Sequence, residues 1–222
     1  MAGGFDESQL SPEELWDWCV AKYESSNPLV KMLYRRFFGV LRDFFSRLRP
    51  KDRLIEIGCG PGQSSLCILE LLSGQHFEVS EPDERYVTML ERKGFPLHVT
   101  RESVYDLQRA DGEFDWVLLL EVLEHLDDVE RALAEVFRVA RRYVVISVPN
   151  EPLWRVVNMA RGKYWRDLGN TPGHVNHWST RELVRLVSRF GSIEEVRVPL
   201  MWTVVLVRVG EGRAQDASAD GS

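Results

Sequence analysis

One stretch of the sequence carries most of the information on the fold: Leu54-Ile55-Glu56-Ile57-Gly58-Cys59-Gly60-Pro61-Gly62-Gln63-Ser64-Ser65. A short β-rich run ends in an acidic residue, glycines follow at alternate positions, and a helical pattern then begins. Glycines let a strand reverse into a helix and let a ligand approach the backbone closely. The N–H groups at the start of that helix favour an electronegative group on the ligand. The stretch therefore predicts a strand–turn–helix unit that binds a ligand at its turn.

Two common nucleotide-binding motifs do not fit this turn. A phosphate-binding P-loop would continue as Gly-Lys-Ser/Thr, whereas Gly62 is followed by Gln63 and Ser64. A dinucleotide fingerprint would place its third glycine one residue later than Gly62. The spacing Glu-x-Gly-x-Gly-x-Gly resembles instead the first motif of class I S-adenosylmethionine-dependent methyltransferases.

The composition indicates an ordinary soluble globular protein, with room for one large α/β domain or two very small ones. The chain has 222 residues, of which 44% are hydrophobic and 28% are charged. Its formal net charge of −6 does not favour a broad nucleic-acid-binding surface. No uninterrupted apolar run approaches the roughly 20 residues of a membrane span. We therefore expect no DNA partner and no transmembrane segment, and the charge disfavours RNA as well.

The N-terminus and the cysteines indicate a cytoplasmic protein. Residues 1–7 contain neither the basic region nor the apolar core of a signal peptide. Cys19, Cys59 and Cys67 show no metal-ligand spacing, and their odd number argues against a disulfide framework. A reducing cytoplasm is the compartment that suits such a chain.

Strand-like and helical patterns alternate through the middle of the chain. The predicted strands, which are mostly apolar, lie at 53–57, 76–80, 96–100, 114–120 and 144–148. The predicted helices between them lie at 63–73, 84–93 and 128–140. Asp127, with Glu130 three residues later, is the predicted cap of the last of these helices. Apolar strands separated by helices indicate a parallel sheet that is covered on both faces.

The end of the chain has a different pattern. Ser179 and Glu182 have the spacing of a capping box, for a helix that runs to about Phe190. Strands at 192–198 and 202–209 follow, and so short a connection can only join antiparallel neighbours. The predicted fold class is therefore α/β: a Rossmann-like, doubly wound, mostly parallel seven-stranded sheet with a C-terminal antiparallel strand and helices on both faces.

The same patterns divide the chain into one main domain and its additions. The predicted segments are a disordered N-terminus at 1–10, N-terminal helices at 11–50 that form a lid or cap, a methyltransferase domain at 51–209 with an insertion at 150–173, and a disordered tail at 210–222. Aromatic residues and cations interleave in the insertion. It could be a lid whose cations meet an anionic substrate or a lipid surface, or a packed helix whose charges are simply solvated.

Two further segments strengthen the resemblance to methyltransferases. Residues 121–126 read Glu-Val-Leu-Glu-His-Leu, which resembles a motif of the broad "type 11" methyltransferase group. Residues 173–179 read Gly-His-Val-Asn-His-Trp-Ser, which is similar to a segment just before the last helix in that group. The motifs fall in the family's order, and the resemblance covers roughly residues 20–208. It implies S-adenosylmethionine as the cofactor.

In an open parallel sheet, the ligand lies beyond the carboxyl ends of the strands, at the switch point. Glu81 follows the second predicted strand, where a carboxylate can accept hydrogen bonds from both hydroxyls of a ribose. By the resemblance, either Glu102 or Ser103 would meet adenine, and Glu121 would face the methionine end of the cofactor. The predicted cofactor-binding residues are Glu56, Gly58, Cys59, Gly60, Gly62, Glu81, Pro82, Glu102, Ser103, Val104 and Glu121.

The resemblance also implies candidate catalytic and acceptor-binding residues. His125, His177 or Glu121 could act as a general base if the acceptor must lose a proton. The alternatives are that His125 is a packed histidine bonded to backbone, and that His177 is a structural part of the pocket wall. The predicted substrate-binding residues are Tyr23, Trp154, Trp165, His174 and His177.

Three functions fit these patterns. The first, which we favour, is methyl transfer to a small-molecule, lipid-type or glycoside-type acceptor; it needs no metal ion and allows peripheral membrane contact. The second is a metal-assisted RNA 2′-O-methyltransferase, in which carboxylates and imidazoles would bind Mg²⁺ or Mn²⁺. Its ligands would be Glu121, Glu124, His125 and either His174 or His177. The third is a non-catalytic partner subunit with a cofactor fold, and the intact glycine loop argues against it.

Overall fold

The computed structural model describes residues 27–150, 176 and 178–210. Their helices and strands, in chain order, are α1 (Pro28–Phe45), β1 (Arg53–Ile57), α2 (Gln63–Leu71), β2 (His76–Ser80), α3 (Glu84–Arg92), β3 (Val99–Thr100), β4 (Phe114–Leu120), a 3-10 helix (Leu123–His125), α4 (Val129–Val139), β5 (Ala140–Pro149), α5 (Thr180–Val187), β6 (Gly191–Arg197) and β7 (Trp202–Val209). Apart from Asn150 and Gly210, the predicted disordered ends at 1–10 and 210–222 and the insertion at 150–173 lie outside the described residues.

The strands form one sheet in the order β3-β2-β1-β4-β5-β7-β6. Strands β1 to β5 pair in parallel, while β7 pairs antiparallel with both β5 and β6. A connection of a few residues cannot cross over the sheet, so β7 must turn back beside β6. Among the described strands, β7 alone runs against the rest, and the predicted fold class is confirmed.

The ends of several elements differ from their predicted positions; strand β3, for example, covers Val99–Thr100 and not 96–100. The N-cap of α4 is Asp128, whose side chain accepts the Arg131 N–H at 3.1 Å, so the prediction of Asp127 was wrong. Both aspartates suit a cap chemically, and the packing of the apolar face of α4 selects the later one. The strand β5 begins at Ala140 rather than 144, because Ala140 already pairs with Phe114 of β4. The capping box that begins at Ser179 is confirmed.

The core lies on both faces of the sheet. All seven residues of β4 are buried, and from Trp116 to Leu120 their side chains alternate between two apolar clusters. Trp116 and Leu118 belong to the cluster that includes residues of α1, whereas Val117 and Leu119 belong to the cluster that includes α4 and α5. A central strand covered on both faces explains the uninterrupted apolar run in the sequence.

The strand order places one switch point in the sheet. The chain passes from β1 to β2 on one side, and from β4 to β5 on the other side. The carboxyl ends of β1 and β4 therefore border the crevice in which such folds bind their ligands. No helix among residues 27–150 and 178–210 is long and apolar enough to cross a membrane.

Candidate cofactor site

The glycine loop after β1 has two glycines required by packing and one that faces open space. Gly58, Gly60 and Gly62 all have positive φ, at 75°, 52° and 79°. A Cβ at Gly58 would lie 2.8 Å from Val122, and one at Gly62 would lie 2.6 Å from the Phe95 ring. A Cβ at Gly60 would meet no atom within 4 Å. Gly60 is thus the position at which a ligand can approach the backbone.

Backbone hydrogen bonds hold this loop against the end of β2. The N–H groups of Gly58 and Cys59 both donate to the Ser80 carbonyl, at 2.8 and 3.0 Å. The Cys59 side chain is 4% exposed, and burial raises the pKa of its thiol, so the thiol is neutral. The predicted contribution of Cys59 to the cofactor site would therefore come from its backbone.

Glu56 is a buried carboxylate held by the first turn of α2. It is 1% exposed, and its two oxygens accept hydrogen bonds from the hydroxyls of Ser64 at 2.7 Å and Ser65 at 2.5 Å. Burial raises the pKa of Glu56 to about 7, while the two hydroxyl donors oppose that shift. This contact fixes the start of α2, and with it the turn between Gly58 and Gly62.

Glu81 lies directly across from the glycine loop. It is 7% exposed, and its oxygens accept the backbone N–H of Gly60 at 2.8 Å and that of Asp83 at 3.0 Å. Burial raises the pKa of Glu81, and both backbone donors oppose the shift. The structure therefore brings this carboxylate to the one glycine of the loop, among Gly58, Gly60 and Gly62, whose surroundings are open. Pro82, the next residue, is exposed.

The loop after β3 holds the residues predicted to meet adenine. The carboxylate of Glu102 pairs with the guanidinium of Arg109, whose Nε lies 3.0 Å from Oε1. Arg109 Nη1 also lies 3.0 Å from Glu78 Oε2, and this second ion pair anchors this end of the loop to β2. Ser103 Oγ accepts the Tyr105 N–H at 3.3 Å, and Val104 is buried in the core. Of the two residues predicted to meet adenine, Glu102 is held in an ion pair, whereas the Ser103 hydroxyl accepts a single, longer hydrogen bond.

Glu121 follows β4 and borders the crevice. Its φ of +57° lies in the left-handed region, which is rare for residues other than glycine. Its carboxylate accepts the Trp202 indole N–H at 2.9 Å and the Ser147 hydroxyl at 3.0 Å. His125 lies four residues further on, at the end of the 3-10 helix, and is exposed.

Five of the predicted site residues lie outside the described residues: Tyr23, Trp154, Trp165, His174 and His177. Asn176, between the two histidines in sequence, is described. Its side-chain amide donates to the carbonyls of Leu126 at 2.6 Å and Leu123 at 3.3 Å, and its backbone N–H donates to the Glu124 carbonyl at 3.1 Å. Asn176 thus contacts the loop that carries His125.

Sequence analysis missed several residues that shape this site. Those with side chains bonded to a predicted site residue are Ser64, Ser65, Arg109, Ser147 and Trp202. The two serines follow the glycine motif at once, so their position could have been noticed. Arg109, Ser147 and Trp202 belong to no recognisable sequence motif and lie 7, 26 and 81 positions from their partners, so no local pattern indicated them. Among the described residues, no group of three acidic, histidine or cysteine side chains could hold a metal ion.

Comparison with known proteins places this chain in a family. The family model of a methyltransferase domain matches residues 31–192, which is most of the chain. The chain belongs to this methyltransferase family. The prediction of a class I S-adenosylmethionine-dependent methyltransferase, with S-adenosylmethionine as its cofactor, is thereby confirmed at the level of the family. No significant match to a curated protein was found.

Solved methyltransferase structures share the fold of this chain. The magnesium protoporphyrin IX methyltransferase of Synechocystis PCC 6803, solved with S-adenosylhomocysteine, is 15% identical, with a TM-score of 0.64 over 88% of this chain and 93% of that one. A methyltransferase from Aquifex aeolicus is 16% identical, with a TM-score of 0.63 over 93% and 100%. One from Methanosarcina mazei is 19% identical, with a TM-score of 0.62 over 75% and 96%. At such identities, the likeness establishes the fold alone.

Proposed function

We propose that this protein transfers a methyl group from S-adenosylmethionine to a small-molecule, lipid-type or glycoside-type acceptor. The observation that carries the proposal is the pairing of Gly60 with Glu81. The first offers a backbone with open space above it, and the second offers a carboxylate within 2.8 Å of that backbone. A nucleoside ligand needs both features, because its ribose presents two hydroxyl donors close to the chain.

Each loop at this edge of the sheet would bind a different part of the cofactor. Glu81 would accept the ribose hydroxyls, in exchange for part of its present bonding to backbone N–H groups. Ser103 would contact adenine, since the Glu102 carboxylate already pairs with Arg109. Glu56 would act through α2, whose start it holds in place. These roles fit the residues present without any change of fold.

The protein's own contribution to the reaction would be alignment and proton removal. When bound, S-adenosylmethionine supplies a methyl group already activated by its sulfonium. The surrounding residues would hold the acceptor in line and exclude water. Of the candidate bases, we favour His125, which is exposed at the crevice side of β4. The carboxylate of Glu121 already accepts hydrogen bonds from Ser147 and Trp202.

The described surface favours an anionic or lipid-linked acceptor over a nucleic acid. The chain as a whole carries a net charge of −6. In contrast, helix α1 presents exposed cations, which are Lys31, Arg35, Arg36 and Arg42. Arg47, beyond the end of the helix, pairs with Glu195. A local cationic face on an acidic protein suits contact with an anionic headgroup or substrate better than with a long polyanion.

Among the described cysteines, Cys59 and Cys67 are free thiols, which supports residence in a reducing cytoplasm.

The test is calorimetric titration of the protein with S-adenosylmethionine and S-adenosylhomocysteine, repeated on Gly60→Arg. The arginine side chain would occupy the ligand space, so we expect micromolar binding by the wild type and none by the variant. Gly74→Arg is the matched control, because Gly74 also has positive φ and open surroundings but precedes β2, at the opposite edge of the sheet. Absence of wild-type binding would refute the proposal and favour the partner-subunit function. Loss of binding in Gly74→Arg would refute the assigned place of the site.

A further inference from the structure

Three large hydrophobic side chains are exposed on the described surface. They are Leu29, which is 58% exposed, Val198, at 48%, and Met32, at 38%. A single exposed apolar residue is ordinary on a protein surface, so these three are informative only if they lie together. The contacts of helix α1 and of the turn between β6 and β7 show that they do.

Helix α1 lies with its N-terminal end at the carboxyl edge of the parallel strands. Near the C-terminal end of the helix, the Phe45 ring lies 6.0 Å from that of Trp116, close to the start of β4. Further toward the N-terminal end, the Phe37 ring lies 5.1 Å from that of Trp202, which pairs with the last residue of β5. The first turns of α1 are therefore at the edge of the sheet that holds the cofactor crevice.

Val198 lies at the same edge, in the turn between β6 and β7. In this turn, the Met201 carbonyl accepts the N–H of Asn150 at 2.8 Å, directly beyond the end of β5. The turn is thus at the carboxyl end of β5, as the first turns of α1 are. Leu29, Met32 and Val198 therefore expose apolar surface at one edge of the sheet, although they belong to different elements.

The same turns of α1 present cations to solvent. Lys31, Arg35 and Arg36 are exposed, and each lies one turn from another of them or from Met32, because residues three or four apart are neighbours on a helix. Helix α1 contains a single carboxylate, Asp43, two turns further on. In the part of the chain that the structure describes, no carboxylate pairs with these three cations. Their charge is therefore available to an external anion.

We propose that this edge is a docking surface for an anionic lipid bilayer. The docking surface consists of Leu29, Lys31, Met32, Arg35, Arg36 and Val198. Its cations attract anionic headgroups, and its apolar side chains enter the boundary between headgroups and acyl chains. The net charge of −6 opposes contact through the rest of the protein surface taken as a whole. Docking is therefore confined to the edge at which the cations are gathered.

A bilayer suits this surface better than a soluble anion or a second copy of the chain. A soluble anion needs cations that converge on one point, whereas these follow one another along the outside of a helix. A symmetric contact between two copies would place cations opposite cations. Docking does not depend on the proposed function. It brings the cofactor crevice to the membrane, where a lipid-type acceptor is available.

The test is sedimentation of the full chain with two kinds of vesicle at low salt. One kind contains phosphatidylcholine alone, and the other contains equal parts of phosphatidylcholine and phosphatidylglycerol. We expect binding to the second kind alone, and we expect added salt to weaken it by screening the exposed charges. Lys31→Gln combined with Arg35→Gln should weaken partitioning about 30-fold, since each cation near the bilayer contributes about 5-fold.

Arg181→Gln combined with Arg185→Gln is the matched control. Both arginines are exposed on α5, whose buried residues pack on the other face of the sheet. This variant has the same net charge as the first one, and its partitioning should match that of the wild type. Leu29→Ser combined with Met32→Ser leaves the charge unchanged and should weaken partitioning about 10-fold. Thermal melting and titration with S-adenosylhomocysteine check that each variant is folded.

The outcomes separate the docking surface from the proposed function. Equal losses in the two pairs of glutamine variants would mean that net charge alone drives binding, and would overturn the docking surface. Wild-type binding to both kinds of vesicle, or to neither, would overturn it as well. So would a wild type that is dimeric by light scattering and becomes monomeric in Lys31→Gln with Arg35→Gln, because the face would then join two copies. Vesicle binding by a wild type that does not bind S-adenosylhomocysteine would leave the docking surface intact and refute the proposed function.

Discussion

Gly60 and Gly62 lie in one turn, yet alanine should affect them for different reasons. Both substitutions force a side chain into the left-handed region, which costs about 1–2 kcal/mol of folding free energy. At Gly62, the new Cβ would also lie 2.6 Å from the Phe95 ring and 3.0 Å from Leu90. Overpacking of this kind adds about 1–3 kcal/mol. We expect Gly62→Ala to cost about 2–5 kcal/mol and Gly60→Ala about 1–2 kcal/mol.

Urea unfolding of each variant measures these costs, and a double mutant isolates the packing contribution. Phe95→Leu removes the ring atoms that the new Cβ would meet. In that background, Gly62→Ala should cost less than it does in the wild type and approach the cost of Gly60→Ala, because only the backbone contribution and the Leu90 contact remain. Binding should follow the opposite order: S-adenosylhomocysteine affinity should fall more in Gly60→Ala, whose Cβ enters the open space above the turn.

Two results would refute this reasoning. The first is a Gly62→Ala that is no less stable than Gly60→Ala, which would mean that Phe95 moves aside at no cost. The second is a Gly62→Ala cost that Phe95→Leu leaves unchanged, since the cost would then come from the backbone. In either case, the positive φ and not the packing would explain the third glycine of the motif.

Two further predictions concern buried charge. The folded-state pKa of Glu56, about 7, lies above its ordinary value of 4.5, so its contribution to stability is present below pH 4.5 and is lost as pH rises toward 7. Urea unfolding between pH 4.5 and 8 should show that the free energy of unfolding of Glu56→Gln rises by up to about 3 kcal/mol relative to that of the wild type. Parallel profiles of stability against pH for the two proteins would contradict the raised pKa of Glu56. Arg109→Met should destabilise the protein by about 3 kcal/mol, because Glu78 and Glu102 lose a largely buried partner. Arg189→Met, which removes an exposed pair with Glu130, should lower the free energy of unfolding much less than Arg109→Met does, and equal costs for the two variants would refute the difference.

The sequence by itself determined the order of the elements and the place of the glycine loop. Apolar runs of strand length, helical periodicity and glycines at alternate positions are local signals, because they reflect conformations that a few neighbouring residues adopt together. Glu81 could be assigned to the ligand side for a related reason: a residue that follows a parallel strand must lie at the carboxyl edge of the sheet. The antiparallel pairing of β6 with β7 followed from the short connection between these two strands.

The tertiary structure alone decided which side chains meet across the sheet. Trp202 contacts Glu121 although 81 residues separate them, and Arg109 bridges Glu102 and Glu78. The cap of α4 was likewise settled by packing, which chose Asp128 over an equally suitable neighbour. Hydrogen bonds between distant residues depend on strand order, register and burial, which no local pattern encodes. A sequence can therefore show where a site lies, while the fold determines how its side chains are held.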